Sequence, residues 1–399
     1  MHNNDYIVLS PEYRVLENDE SVIIGNIVNG KWFKCKKEAY EFLIECINKN
    51  MRYEEMLNKC EDQYTKDYIV KFITLLVEID VIEKSNSNIN QCVIEAASII
   101  LTNGCNLRCR HCVSNCGGLE RKDLSFDTIK KVIDWCESKS IKEITLTGGE
   151  IFIRSDIKEI LKYVRQNYSG KIVVITNATL ITDNILDTVV KNVDQIDISL
   201  DGYDEESVAK IRGNGVFKKV TDVIEQLHKH NFTKISLSMV LTGENRKHVE
   251  DFKNLCKTYE VNELLRVLSP RGRAAENFEE LVDINFDKGS NNISEYSFKC
   301  VCKKLNSELS IDENGNIYPC VLLQKDGFQI GNVKDMDKGL KLIECNDPLI
   351  DSIEKCKDCN IRYFCASNCL GHDMSVFYNE MAKSVRCKKA KEVYSVVWD

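Results

Sequence analysis

An apolar run of β-type residues, Ser98 to Leu101, leads within a few residues into Cys105-Asn-Leu-Arg-Cys109-Arg-His-Cys112. Three thiols on one short loop, spaced C-x3-C-x2-C, can occupy three irons of a cubane and leave the last iron without a protein ligand. A zinc site wants four donors, usually as two C-x2-C knuckles, and this spacing serves that geometry poorly. An open iron lets a small molecule chelate the cluster and receive an electron. The loop belongs to a wider account, because the chain has 19 cysteines. Its amino terminus has neither the basic nor the apolar region of an export signal, and cytosolic thiols rarely form structural disulfides. Metal is therefore the expected fate of most of them. Cys46 and Cys136 are the exceptions, on the apolar faces of expected helices, and read as buried, inert thiols. Cys116 reads as a nearby thiol rather than a substrate ligand. No stretch approaches about 20 uninterrupted apolar residues, so a cytoplasmic protein with no membrane partner is expected. A net charge of -8 leaves no basic excess to displace counterions, which argues against a nucleic-acid partner.

The chain divides by pattern. Residues 5–84 open with short β-type runs from Tyr13 to Cys35, broken by the turn dipeptide Asn29-Gly30, and continue with helical spacing over Glu38–Asn48, Tyr53–Cys60 and Tyr68–Ile82. A hairpin followed by three helices suggests a small winged helix. Residues 85–96 begin as a polar, turn-rich stretch and read as a linker. Residues 97–290 alternate strand and helix, with strands expected at Ser98–Leu101, Glu143–Leu146, Lys171–Thr176, Gln195–Leu200, Lys234–Leu241 and Leu264–Leu268. That is an α/β pattern of six units, the length of a partial (β/α)6 barrel, whose chemistry collects at the carboxyl ends of the strands. Residues 291–399 have weak periodicity and many cysteines, as in a small domain stapled by metal.

With those residues in view, the chain resembles the radical S-adenosylmethionine (SAM) superfamily, whose signature is the C-x3-C-x2-C loop after the first barrel strand. The resemblance implies that Cys105, Cys109 and Cys112 hold a [4Fe-4S] cluster whose open iron binds SAM, and that reduction releases a 5'-deoxyadenosyl radical. His111 stands where the family usually has an aromatic residue. Thr147-Gly148-Gly149-Glu150, ending the second strand, resembles the family's "GGE" element that holds the methionine amino group, and Glu150 is suited to an ammonium. Ser199, in Asp197-Ile-Ser-Leu-Asp-Gly202, resembles the family serine that contacts the ribose. Asn177, Asp201 and Arg212 sit where related enzymes line the SAM pocket.

The carboxy-terminal spacing runs from Cys302 as C-x12-G-x4-C through Gly315 to Cys320, then Cys356-x2-Cys359-x5-Cys365-x3-Cys369, with Cys387 beyond. Two short-spaced pairs are compatible with a zinc ribbon. The whole pattern resembles the SPASM domain, which implies two auxiliary [4Fe-4S] clusters, one on Cys356, Cys359, Cys365 and Cys387. The other would use Cys320 and Cys369 with Cys302 and Cys300, either of these last two being an alternative to the other. Cys345 falls outside the pattern. The front domain, acidic around its second helix, resembles the RiPP recognition element, which binds the leader of a ribosomally made precursor peptide by strand addition to the hairpin edge. The wing would be Ser21 to Phe33 and the groove helix Tyr68 to Ile82.

These resemblances imply a peptide maturase that installs a thioether crosslink in a precursor peptide, using an external electron donor such as flavodoxin or ferredoxin. A carbon–carbon crosslink is the close alternative. A sulfatase-maturase-like dehydrogenase would share the barrel and clusters without needing the front domain. A zinc-stapled or electron-transfer binding protein would not bind SAM at all. No residue for the substrate proton is identifiable.

Overall fold

The computed structural model describes residues 5–82, 94–282, 297–298, 302, 307–325, 327–340, 349–366 and 369–398. At the front, β1 (Tyr13–Glu17), β2 (Ser21–Asn26) and β3 (Trp32–Lys36) form an antiparallel sheet in that order, followed by α1 (Lys37–Asn48), α2 (Tyr53–Asn58) and α3 (Gln63–Glu78). Val22-Ile23-Ile24 is apolar without alternation because β2 is the middle strand and is covered on both faces. Val22 and Ile24 pack with Leu43, Phe72 and Leu76 of the helices. Ile23 joins Leu16 and Ile27 on the opposite face, in one core with Phe298, Tyr363 and Trp398 from the carboxy-terminal part. Trp32 stands edge-on to Phe364 with ring centres 4.9 Å apart, and Lys34 Nζ donates to the Trp398 carbonyl at 2.9 Å. The front sheet is thus docked on the far end of the chain.

The third helix starts earlier than its apolar spacing suggests and stops short of Ile82. Asp62 sets its start by accepting a hydrogen bond from the Thr65 backbone N–H at 2.7 Å, a polar cap that apolar periodicity does not register. The chain leaves the helix through Asp80, at φ 55.

The second part is the parallel array. β4 (Ala96–Ile100), β5 (Glu143–Thr147), β6 (Lys171–Thr176), β7 (Gln195–Ser199), β8 (Ile235–Leu241) and β9 (Asn262–Val267) lie side by side in chain order, each parallel to the next. Helices α4 (Phe126–Ser138), α5 (Ile157–Asn167), α6 (Asp183–Asn192), α7 (Glu205–Arg212), α8 (Val216–Lys229) and α9 (Val249–Thr258) connect them. The central strands read as continuous Val/Ile runs because both faces are covered: Ile172 and Val174 of β6 are fully buried and Val173 nearly so.

Two expectations are corrected here. The stretch 85–96 is not linker to its end: Ala96 already belongs to β4, and Glu95 N–H bonds to the Ser307 carbonyl at 2.8 Å. The carboxy-terminal part is not a separate layer either. β10 (Glu308–Ile311) pairs parallel with β4, and β11 (Asn316–Tyr318) and β12 (Gly331–Asn332) follow antiparallel, extending the array to nine strands. These strands are two to four residues long, too short for periodicity to reveal. The six parallel strands do not close on themselves, since β4 is bordered by β10 and β9 is the opposite edge. Among the described residues no helix is long and apolar enough to cross a membrane.

Candidate active site

The three clustered cysteines sit on the loop that leaves β4, and the loop is held by backbone from the neighbouring strand end. Gly149 N–H donates to the Thr102 carbonyl and Glu150 N–H to the Gly104 carbonyl, both at 2.8 Å. A Cβ at Gly148 would collide with the Thr102 carbonyl, and one at Gly149 with the Gly104 carbonyl. The paired glycines therefore let one backbone approach another, at the root of the cysteine loop. Gly149→Ala is expected to cost about 1–3 kcal/mol of local overpacking and to displace the loop. Iron uptake on reconstitution should fall several-fold while far-UV circular dichroism is kept; a full iron load would show that the loop tolerates the methyl group.

Glu150 is held closely by the chain. It is fully buried, and its carboxylate accepts from Thr176 Oγ1 at 2.7 and 2.9 Å, Asn177 N at 2.8 Å and Phe152 N at 3.1 Å. Burial pushes its pKa up, while the Asn177 N–H and the Thr176 hydroxyl pull it back. With both oxygens engaged by the chain, Glu150 ties the end of β5 to the end of β6. Asn177, next in line, donates from Nδ2 to Asn106 Oδ1 at 3.0 Å and lies 3.9 Å from Cys105 Sγ. It steadies the cysteine loop from the β6 side.

Asp201 and Arg212 form a second support. Asp201 is wholly buried, in a left-handed backbone conformation at φ 68. Its Oδ2 meets Arg212 Nε at 2.6 Å and His111 Nε2 at 2.6 Å, and Oδ1 accepts from Val240 N at 2.6 Å. Burial opposes its ionisation, but Arg212 and His111 outweigh that and hold the carboxyl well below the usual carboxylate range. Arg212 Nη1 lies 3.6 Å from Cys109 Sγ, so one chain of contacts runs from His111 through Asp201 and Arg212 to Cys109 of the loop. Asp201 is enclosed by the chain and acts on the site through Arg212 and His111. His111 is the participant that sequence reasoning noted only as standing at a usually aromatic position. Its position one residue from Cys112 was the available signal, and its Nδ1 is buried without a partner among the described residues. Ser199 and Thr147 stand half-buried at the carboxyl ends of β7 and β5. Thr147 and Gly148 line a cavity of about 500 Å³ together with Asn115, Cys116, Arg271 and Tyr318.

The thiols of the loop face one another electrostatically. Burial pushes Cys105 up to about 11, with Cys109 and Cys112 adding to the rise. Cys109 is also raised by burial, against the pull of Arg212. Cys112 is lowered and Cys116 raised, each chiefly by the other, and Cys116 Sγ donates to the Ser114 carbonyl at 3.8 Å. Because cluster ligands bind as thiolates, loading iron here releases protons. In the carboxy-terminal part, burial pushes Cys365 up to about 12; Arg386 counteracts and Cys387, Cys359 and Cys356 add to it. Burial likewise raises Cys320 to about 11, with Cys369 and Cys302 contributing. Electrostatic influence thus links Cys105 with Cys109 and Cys112, Cys365 with Cys356, Cys359 and Cys387, and Cys320 with Cys302 and Cys369. Cys300 and Cys345 lie outside the described residues. Cys46 and Cys136 are buried thiols, as expected. Among the described residues no three Cys, His, Asp or Glu side chains converge on a single metal-ion position; a cubane binds one thiolate at each of several separate irons.

The expected donor set fits such a cluster: three thiols on one loop, with Arg212 and Asn177 as side-chain donors to two of the sulfurs.

Comparison with known proteins agrees. The chain is 32% identical over 183 residues to the mycofactocin maturase MftC of Mycolicibacterium smegmatis, an alignment covering 45% of this chain and 46% of that protein. It is 27% identical over 251 residues to AlbA, an antilisterial bacteriocin subtilosin biosynthesis protein of Bacillus subtilis, covering 57% of this chain and 55% of that one. The chain therefore spans only about half the length of these two relatives. The crystal structure of Streptococcus suis SuiB bound to the precursor peptide SuiA shares the fold, with a TM-score of 0.52 at 13% identity over 92% of this chain and 96% of that one. Residues 99–256 match the model of the Radical SAM superfamily. That match begins inside β4 and ends inside α9, so it takes in the cysteine loop and the strand ends that hold it, and the chain carries a radical SAM domain.

Proposed function

We propose that this protein is a radical SAM peptide maturase that installs a thioether crosslink in a ribosomally made precursor peptide. The observation that carries the reading is the grouping of thiols: one set of three after the first parallel strand, and two further sets in the carboxy-terminal part. Cys105, Cys109 and Cys112 would hold the cluster that binds SAM, and the other two sets auxiliary [4Fe-4S] clusters, with Cys300 a candidate fourth ligand. When bound, SAM and the clusters supply the hydrogen-abstracting radical and the electron acceptors. Forming a C–S bond from a C–H and an S–H removes a hydrogen atom, a proton and one electron from the peptide. Two electron-accepting sites beyond the SAM cluster suit that balance. Arg212, Asn177 and Glu150 keep the loop in place; Thr147 and Gly148 face the cavity where a peptide side chain would enter. The relatives named maturases and a fold neighbour solved with its precursor peptide support the substrate class.

The front sheet supports leader capture. Beyond the bridge between Gly30 and Phe298, no strand among the described residues pairs with the outer edge of β3. Tyr64, Tyr68 and Leu75 of α3 are exposed at four- and seven-residue spacing. Tyr68 is near the Lys36 backbone and Cys35, at the end of β3. An extended leader added to β3 would lay its side chains against this stripe.

The test is anaerobic purification, reconstitution with iron and sulfide, and incubation with SAM, dithionite and the short peptides encoded beside the gene. The expected product is a peptide lighter by two hydrogens per link, with its cysteine thiol blocked to alkylation. A product lighter by the same mass with the thiol free would favour a carbon–carbon link. Tyr64→Ala with Leu75→Ala is expected to weaken leader binding by about 2 kcal/mol, roughly thirtyfold in Kd, while peptide-free deoxyadenosine release stays as in the wild type. Turnover that ignores both substitutions and leader removal would favour a leader-independent dehydrogenase.

A further inference from the structure

Beyond the Leu268-Ser269-Pro270 stretch that follows β9 the chain runs Arg271-Gly272-Arg273, and these residues reach two of the three thiol groups at once. Arg271 Nη1 donates to the carbonyls of Leu322 at 2.5 Å and Val321 at 3.3 Å, and Nη2 to that of Gln324 at 3.2 Å. All three carbonyls belong to the turn that follows Cys320. Arg273, 7% exposed, donates from Nε to the Cys109 carbonyl at 3.0 Å and from Nη1 to Asn115 Oδ1 at 2.8 Å. Gly272, at φ 52, sits between them against the loop backbone; a Cβ there would stand 2.6 Å from the Cys112 carbonyl oxygen and 2.8 Å from that of Val113.

The partners of both guanidiniums are neutral. Among the described residues the hydrogen bonds of Arg271 and Arg273 go to carbonyl and amide oxygens, and no carboxylate forms an ion pair with either. Buried or partly buried cations are normally paired with an anion. The thiols that feel the charge of these two are Cys320 for Arg271, and Cys109 and Cys112 for Arg273.

We propose that Arg271 and Arg273 are positioning residues that each place an uncompensated positive charge beside one cluster, Arg273 at the SAM cluster and Arg271 at the cluster of Cys302, Cys320 and Cys369, with Gly272 locking the two together. The inference rests on the cluster assignments above. Its physical content is electrostatic. Reducing a cluster adds a negative charge, and a nearby cation in a poorly solvated site stabilises the reduced form more than the oxidised one. Removing one arginine's charge therefore lowers the midpoint potential of the cluster that it faces and leaves the other nearly unchanged.

The experiment is an anaerobic redox titration of the reconstituted full chain, followed by electron paramagnetic resonance, on Arg271→Met, Arg273→Met and the charge-keeping Arg271→Lys and Arg273→Lys. Arg273→Met is expected to shift the SAM-responsive signal to lower potential and Arg271→Met to shift an auxiliary signal, with each lysine variant close to wild type. A methionine variant that carries the full iron load and keeps both potentials would overturn the proposal. So would a variant that shifts the wrong cluster, or lysine variants that shift as far as the methionine ones, which would mean a packing role alone. If a methionine variant fails to load, Arg→Gln, which keeps hydrogen-bond donors without charge, is titrated against Arg→Lys under the same criteria. Failure of the cluster assignments themselves reads differently: the wild type would then show a single reducible cluster and iron for one cubane.

Discussion

Release of 5'-deoxyadenosine from SAM is expected to fall to background in the variant Cys105→Ala, Cys109→Ala, Cys112→Ala, a loss of more than about 10⁴-fold given the usual scale of enzymatic acceleration. The physical reason is that no other group of thiols replaces the loop. The carboxy-terminal sets are built from other segments, around Cys320 and Cys369 and around Cys365 and Cys387. The same variant should lose the iron of one cluster and keep that of the others, so iron content falls in part while activity disappears. Retained SAM cleavage would refute the placing of the open iron on this loop. A wild-type chain that binds zinc, takes up no iron and cleaves no SAM would point instead to a metal-stapled binding protein.

Asp201→Ala is expected to destabilise the fold by about 3–5 kcal/mol, the scale of breaking a buried ion pair from one side. Arg212 would be left buried without its carboxylate, His111 Nε2 would lose its Asp201 contact, and Val240 N–H would lose its acceptor. Chemical denaturation read by near-UV circular dichroism gives the difference, and a cost below about 1 kcal/mol would mean that solvent reaches the site. The pH dependence has a definite sign. The folded carboxyl of Asp201 titrates below its unfolded value. Its contribution is therefore fully present above the unfolded value near 4 and drains away as pH falls toward the folded one. The stability difference between wild type and Asp201→Asn should be flat from about pH 5 upward and shrink only below about pH 4. A difference that changes at neutral pH would mean that Asp201 is not the titrating group.

Much of this molecule was legible before any coordinates, for a reason that differs by element. The six parallel strands announce themselves because strands covered on both faces must be apolar throughout, and runs such as Lys171–Thr176 have few other uses. The cysteine spacings were legible because they are local, and they stand as candidate ligand sets because cluster ligation demands thiols at fixed local spacing. The start of α3 was misjudged because a single aspartate cap decides it, and β10 to β12 were missed because strands of so few residues carry no period.

The amino-acid sequence by itself determined which residues are candidates for the chemistry: the C-x3-C-x2-C loop, the carboxy-terminal thiols and the strand–helix alternation that presents them. Those are local constraints, enforced within a few residues of chain, so they survive as spacing. Only the tertiary structure decided what surrounds them. Gly148 and Gly149 face the Thr102–Gly104 backbone, and Glu150 is turned inward onto Thr176 and Asn177. Asp201 is enclosed between Arg212 and His111, and Arg271 and Arg273 span from one cysteine set to another. Each of these joins residues tens to more than a hundred positions apart or depends on the direction in which a side chain points. Whether a buried carboxylate or guanidinium meets a ligand or its own chain is settled by which donors and acceptors packing leaves unmatched, and that balance exists only once the strands lie side by side.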